Sequence, residues 1–170
     1  LLGVNLCHVN TIVLSHRHYD HTGGLKVFRN LPVQPEIVCH PEALRVNYVG
    51  IPPFWYTANT GNPLGENLTR REFPAIRTSS KSIEICPGVI TSGEIESHNN
   101  VEKGEEFPDD LAMSIQTPRG LIVFVGCAHR GVVNSIEQMR RLSGDERVYA
   151  LIGGMHLFSA DNHKINLSLI

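Results

Sequence analysis

The chain has 170 residues, enough for one domain with a real core and too few for two ordinary ones. At 41% hydrophobic and 19% charged it has a globular rather than a disordered composition. Its net charge of −2 argues against a polyanion-binding surface, so no nucleic-acid partner is expected, and no apolar run approaches the roughly 20 residues of a membrane span, so no membrane partner is expected either.

In chain order, Leu1 to Leu6 predicts a helix closing near Cys7-His8. It has no basic segment before it and no small-residue cleavage site after it, so a signal peptide is not expected. Asn10 to Ser15 reads as a short buried strand, apolar and β-branched without a break. Ser15-His16-Arg17-His18-Tyr19-Asp20-His21-Thr22-Gly23-Gly24 follows, with three histidines and an aspartate inside six positions. Ordinary turns favour Gly, Asn, Asp and Ser, whereas imidazole and carboxylate hold a divalent metal through nitrogen and oxygen. The loop is a candidate metal site. Thr22 is placed to cap a helix from Gly23 to about Asn30 that packs Leu25, Val27 and Phe28. Pro32 and Pro35 bracket the connection to a strand at Glu36 to Cys39, and Pro41 to about Tyr48 predicts a short helix with proline in its first turn.

From Gly50 to Ser80 the pattern dissolves among prolines and glycines, which predicts a long loop of functional type. Phe54, Trp55 and Tyr56 cluster in it, either as an anchor on the core or as a wall over a substrate ring. Ser82 to Ile85 and Val89 to Thr91 are strands divided by Pro87-Gly88. Gly93 to Glu96 leads into an acidic loop, Glu102 to Asp110, and Leu111 to Gln116 and Leu121 to Val125 form a hairpin about Thr117-Pro118-Arg119-Gly120. Gly131 to Leu142 predicts a helix that buries Val132, Val133, Ile136 and Met139, turns Glu137, Arg140 and Arg141 outward, and closes at Ser143-Gly144. Arg147 to Ile152 is the last strand, with Gly153-Gly154-Met155-His156 as its exit loop. Each polar cluster sits where an apolar strand ends, the position at which α/β proteins place chemistry. Four irregularly spaced cysteines, Cys7, Cys39, Cys86 and Cys127, form no Cys-x-x-Cys pair; reduced thiols in a cytoplasmic protein are expected.

His16-x-His18-x-Asp20-His21 resembles the signature loop of the metallo-β-lactamase superfamily. Val125-Gly126-Cys127-Ala128-His129-Arg130-Gly131-Val132-Val133-Asn134 and Ile152-Gly153-Gly154-Met155-His156-Leu157 are similar to its dihydropterin / β-ribofuranosyl-aminobenzene 5′-phosphate synthase-like branch. The resemblance runs to Leu157, with no match from Asn47 to Lys81. It implies an α/β fold, the αββα sandwich, as one partial domain over residues 1–170. The N-terminal hairpin layer and the C-terminal end that members carry would lie outside this sequence, which opens on Leu1.

The resemblance also implies the ligands: His16 and His18 for one divalent ion, Asp20 and His21 for another, His156 completing the second site, and His129 as a sixth ligand. Zinc is the first expectation, with manganese or iron as alternatives, in one or two ions. Asp20 and His129 are the candidate catalytic residues. Where most members have a Gly-Asp whose carboxylate bridges the metals, this chain has Gly126-Cys127, which leaves a single ion or an asymmetric pair open. Cys127, Asp110 and Glu94 remain open as further ligands, the bland readings being a small buried hydrophobe, a turn or cap residue, and a loop acid. Tyr19 orients a ligand or lies on the surface; His8, His40, His98 and His163 lack ligand-type neighbours at useful spacing and read as structural or solvated. Arg130, Arg70 and Arg71 are available cations for an anionic substrate, the plainer reading being exposed arginines on solvated faces, and no glycine-rich phosphate cradle accompanies them. The activity implied is a hydrolase-type reaction, or phosphoribosyl transfer, on a small phosphorylated molecule. The alternatives are an iron-binding redox module of the same fold and an inactive fragment.

Overall fold

The computed structural model describes residues 3–51, 56–96 and 107–155. They fall into two compact units, Leu1–Ser79 and Ser80–Ile170.

The first unit runs β1 (Thr11–Val13), α1 (Tyr19–Thr22), β2 (Glu36–Cys39), β3 (Tyr48–Ile51), β4 (Tyr56–Asn59), α2 (Gly65–Glu72) and β5 (Ile76–Thr78). β1, β2 and β5 form a parallel sheet with β2 in the middle. Central parallel strands are covered on both faces, and Ile37, Val38 and Cys39 are accordingly fully buried. The core gathers Leu14, Leu25, Ile37, Ala43, Leu44 and Phe73. This sheet ends β1 just before the histidine loop and so sets where that loop begins.

Several expected helices tighten or shift. The N-terminal one is a 3-10 turn at Leu6–His8, entered through Asn5, whose side chain accepts from the Cys7 N–H. Thr22 caps nothing: its hydroxyl donates back to the carbonyls of Arg17 and His18. The helix therefore starts earlier, at Tyr19, and continues as a 3-10 stretch, Gly23–Phe28, consistent with the poor α-propensity of Gly23-Gly24. The segment after Pro41 is a 3-10 turn, Pro41–Leu44, capped by His40, whose Nδ1 accepts from the Glu42 N–H at 3.2 Å.

Among the described residues, the region 50–80 carries regular structure rather than one long loop. β3 and β4 form an antiparallel ribbon, and α2 and β5 follow. A polar knot closes the ribbon's base. Asn59 Oδ1 accepts from the N–H groups of Asn47 and Gly61, both at 3.0 Å. Asn62, fully buried, donates to Leu44 O and Thr69 Oγ1 and accepts from the Leu64 N–H. Hydrophobic periodicity misses this region because side-chain amides organise it and α2 buries Thr69. Phe54 and Trp55, and the Tyr56 side chain, lie outside the described residues.

The second unit runs β6 (Glu84–Cys86), β7 (Val89–Thr91), β8 (Met113–Thr117), β9 (Gly120–Val125), α3 (Val132–Ser143) and β10 (Val148–Gly153). The sheet order is β10-β9-β8-β7-β6. All pairings are antiparallel except β9–β10, the parallel pair that α3 joins as a crossover. The expected hairpin forms as β8–β9, the two strands divided by Pro87-Gly88 pair as β6–β7, and Leu121 and Val123 of β9 are fully buried in a core with Ile95, Ala112 and Met139.

α3 has the expected extent but a different inward face. It buries Asn134, Ser135, Gln138 and Met139, while Val132, Val133 and Ile136 are half-buried. Burial of these polar groups is tolerated because each is hydrogen-bonded. Gln138 Nε2 donates to Ser92 O (3.0 Å) and Glu94 O (2.8 Å), and its Oε1 accepts from the Glu96 N–H (2.8 Å). Among the described residues no helix is long and apolar enough to cross a membrane.

Candidate metal centre

The histidine loop leaves β1 through Leu14, which is buried, and Ser15. Two backbone bonds fold it into the first turn of α1, from the N–H groups of His21 and Thr22 to His18 O, both at 3.0 Å. A third holds it from outside, Tyr19 N–H to Thr60 O at 3.0 Å. That turn brings the imidazoles together. His16 is fully buried; its Nε2 lies 3.0 Å from His18 Nδ1 and its Nδ1 3.0 Å from Ser15 Oγ. The His16 ring centroid is 4.7 Å from that of His18 and 4.3 Å from that of His21. Asp20 Oδ2 approaches His21 Nε2 at 3.5 Å, the carboxylate being 58% exposed.

This donor set fits a divalent cation. Two imidazole nitrogens face each other across 3.0 Å, a spacing that a shared proton or a shared cation reconciles. A hydroxyl on the far nitrogen of a histidine is the kind of partner that fixes tautomer and ring orientation in metal sites. In the tautomer in which Nδ1–H donates to Ser15 Oγ, the Nε2 lone pair of His16 is directed toward His18. Ser15 was not singled out in the sequence, and only its place beside His16 pointed to it.

The second unit holds His129, in the loop that follows β9, 5% exposed and stacked on Phe107 with ring centroids 4.1 Å apart and an interplanar angle of 14°. Its loop is conformationally constrained. Ala128 has φ +55°, unusual for a residue with a Cβ, Gly131 has φ +95°, and the Gly131 N–H bonds back to Ala128 O at 2.8 Å. Phe107 is a second residue that sequence reasoning missed, for it sits in a loop read as merely acidic. His156 lies outside the described residues.

The sequence model of the metallo-beta-lactamase superfamily matches residues 1–133. The chain belongs to that superfamily. Over 183 aligned residues it is 32% identical to the 7,8-dihydropterin-6-methyl-4-(beta-D-ribofuranosyl)-aminobenzene-5'-phosphate synthase of Methanocaldococcus jannaschii, covering 97% of this chain and 62% of the synthase. An uncharacterised protein of the same organism is 26% identical over 91% of this chain and 60% of its own length. The chain thus spans about three fifths of the curated relatives it matches. The crystal structure of a metal-dependent hydrolase of the beta-lactamase superfamily superposes with a TM-score of 0.75 at 24% identity, over 95% of this chain and 62% of that one. An N-acyl homoserine lactone hydrolase gives 0.50 at 16%, over 90% and 58%. These likenesses establish the α/β fold of the superfamily.

Within that family frame the remaining candidates take up definite positions. Glu94 Oε1 pairs with Arg130 at 3.1 Å. Asp110, 2% exposed, accepts the Arg130 backbone N–H at 2.7 Å, and burial pushes its carboxyl up to about 6 despite that bond. Cys127 is half-buried. The arginines proposed for an anionic substrate are engaged elsewhere: Arg70 with Glu66, Arg71 with Glu72, and Arg130 with Glu94. Tyr19 is 59% exposed and contributes its backbone to the Thr60 bond. His40 caps a turn and His8 lies in the exposed 3-10 turn; His98 and His163 are outside the described residues.

Proposed function

We propose that the chain carries the metal-binding part of a metallo-β-lactamase-fold enzyme acting on a small, phosphorylated substrate in the cytoplasm. His16, His18, Asp20, His21, His129 and His156 are the proposed ligands, for one or two divalent ions, with zinc ahead of manganese and iron. The observation that carries the reading is the pair of facing imidazole nitrogens in His16-x-His18-x-Asp20-His21, in a chain of this superfamily. Such an ion, when bound, lowers the pKa of coordinated water to about 7 and polarises phosphoryl oxygens.

The chain's own residues then do three things. His16, buried and braced by Ser15, fixes one edge of the site. His21, next to the Asp20 carboxylate, fixes another. Asp20, largely exposed, would accept a proton from the attacking water. A phosphorylated substrate is supported by the likeness to the synthase, whose name carries a 5'-phosphate; phosphoribosyl transfer is the reading that goes with it.

The test is metal content by mass spectrometry, with turnover of a chromogenic phosphate ester, in the wild-type chain, His16→Ala and His156→Ala. Both variants should lose bound metal and activity. Unchanged stoichiometry in both would overturn the reading. Two irons with a visible absorption band would instead favour a redox module.

A further inference from the structure

Arg130 follows the proposed ligand His129 and donates four hydrogen bonds to segments distant in sequence. Its backbone N–H goes to Asp110 Oδ2 at 2.7 Å, Nε to Phe107 O at 3.0 Å, one terminal nitrogen to Ile95 O at 3.1 Å and the other to Glu94 Oε1 at 3.1 Å. Its side chain is only 18% exposed. A guanidinium presents a planar fork of donors that a lysine ammonium cannot reproduce, and here that fork joins residues 94–95 to residue 107. A substrate anion would have to break those bonds to recruit it.

We infer that Arg130 is a positioning residue that sets the ring plane of His129 through Phe107. The residue whose carbonyl receives Arg130 Nε is also the one whose ring lies parallel against the His129 imidazole. The arginine thus grips the backbone of the plate on which the histidine rests. The loop between them has little freedom to compensate, since Ala128 is held at positive φ and Gly131 at +95°. Strained backbone persists where surrounding structure over-determines it, and the four Arg130 bonds supply that. This role rests on His129 being a ligand, as proposed above; partners that orient a ligating histidine typically contribute 10–100-fold to metal affinity.

The experiment is a double-mutant cycle on the whole chain, reading zinc affinity by competition with a chromogenic chelator, together with the His129 ring-proton shifts of the metal-free protein. Arg130→Lys should weaken zinc about 10–100-fold, lose that effect in a His129→Ala background, and move the ring protons toward unstacked values. An equal loss in both backgrounds, or unmoved ring protons, would overturn the assignment. Should Arg130→Lys fail to fold, Phe107→Leu removes the plate while leaving the fork, and the same two readouts apply to it. If His129→Ala binds zinc as tightly as wild type, the ligand reading is what fails. The metal-free ring shifts distinguish that result from a failure of the positioning role.

Discussion

The loops at residues 15–24 and 126–131 both carry proposed ligands at strand ends, yet they are held in opposite ways. The first is dense in ligands and is shaped largely by near neighbours: His21 and Thr22 bond to His18, the Thr22 hydroxyl to Arg17 and His18, Ser15 to His16. A backbone bond from Tyr19 to Thr60 also ties it to a segment farther off. The second carries one histidine and is shaped by residues 20 to 36 positions away, through Asp110, Phe107, Ile95 and Glu94. A ligand set that is contiguous in sequence can be organised by the hydrogen bonds of a single turn. An isolated ligand needs a scaffold assembled from several segments, and its geometry depends on all of them.

The largest effect should come from disturbing a distant support of the first loop, the bond from Tyr19 N–H to Thr60 O. A Cβ on Gly61 would sit 2.8 Å from Arg45 O and against the Asn47 nitrogen, which is backbone and cannot swing aside. Gly61→Ala should cost about 3 kcal/mol in urea unfolding. By shifting Thr60 it should also weaken metal binding at His16 and His18; a stable variant with intact metal binding would show that the loop holds itself.

Next is the buried acid behind the second loop. Because burial holds the folded-state pKa of Asp110 near 6, above its ordinary 3.8, its contribution to stability is complete below pH 4 and lost as pH rises through 6. In the metal-free protein, wild type should lose on the order of 2–3 kcal/mol between pH 4 and pH 7 relative to Asp110→Asn. Parallel stability curves for the two proteins would remove Asp110 from this account. The smallest effect belongs to Arg70→Ala, which breaks an exposed pair with Glu66 one helical turn away. Its cost should stay under about 0.5 kcal/mol, and a larger one would mean that α2 supports the first loop more directly than its contacts suggest.

This contrast also accounts for what could be read from the sequence. β2, the β8–β9 hairpin, the turn between β6 and β7 and the extent of α3 were legible, because apolar runs, Pro-Gly turns and a closing Gly144 are local signals. The histidine loop was legible for the same reason. The ribbon and helix between residues 48 and 72 were not, since Asn47, Asn59 and Asn62 resemble ordinary loop residues until their amide partners are known. The inward face of α3 was misread because apolar spacing favoured Val132, Val133 and Ile136, whereas hydrogen bonds favour Gln138. Arg130 likewise reads as a surface cation in sequence, and only its four distant partners reveal a different use.

Gln138 also bears on how uniquely the second unit is arranged. A helix resting on apolar side chains alone has neighbouring rotations of similar energy, because greasy surfaces slide past one another with little directional preference. A carboxamide that must satisfy two carbonyls and one N–H together admits a single rotation and a single height. Gln138 therefore works as an indexing pin for α3. It contributes uniqueness of register more than strength, and it passes that register to the strip at residues 94–95 that Arg130 grips.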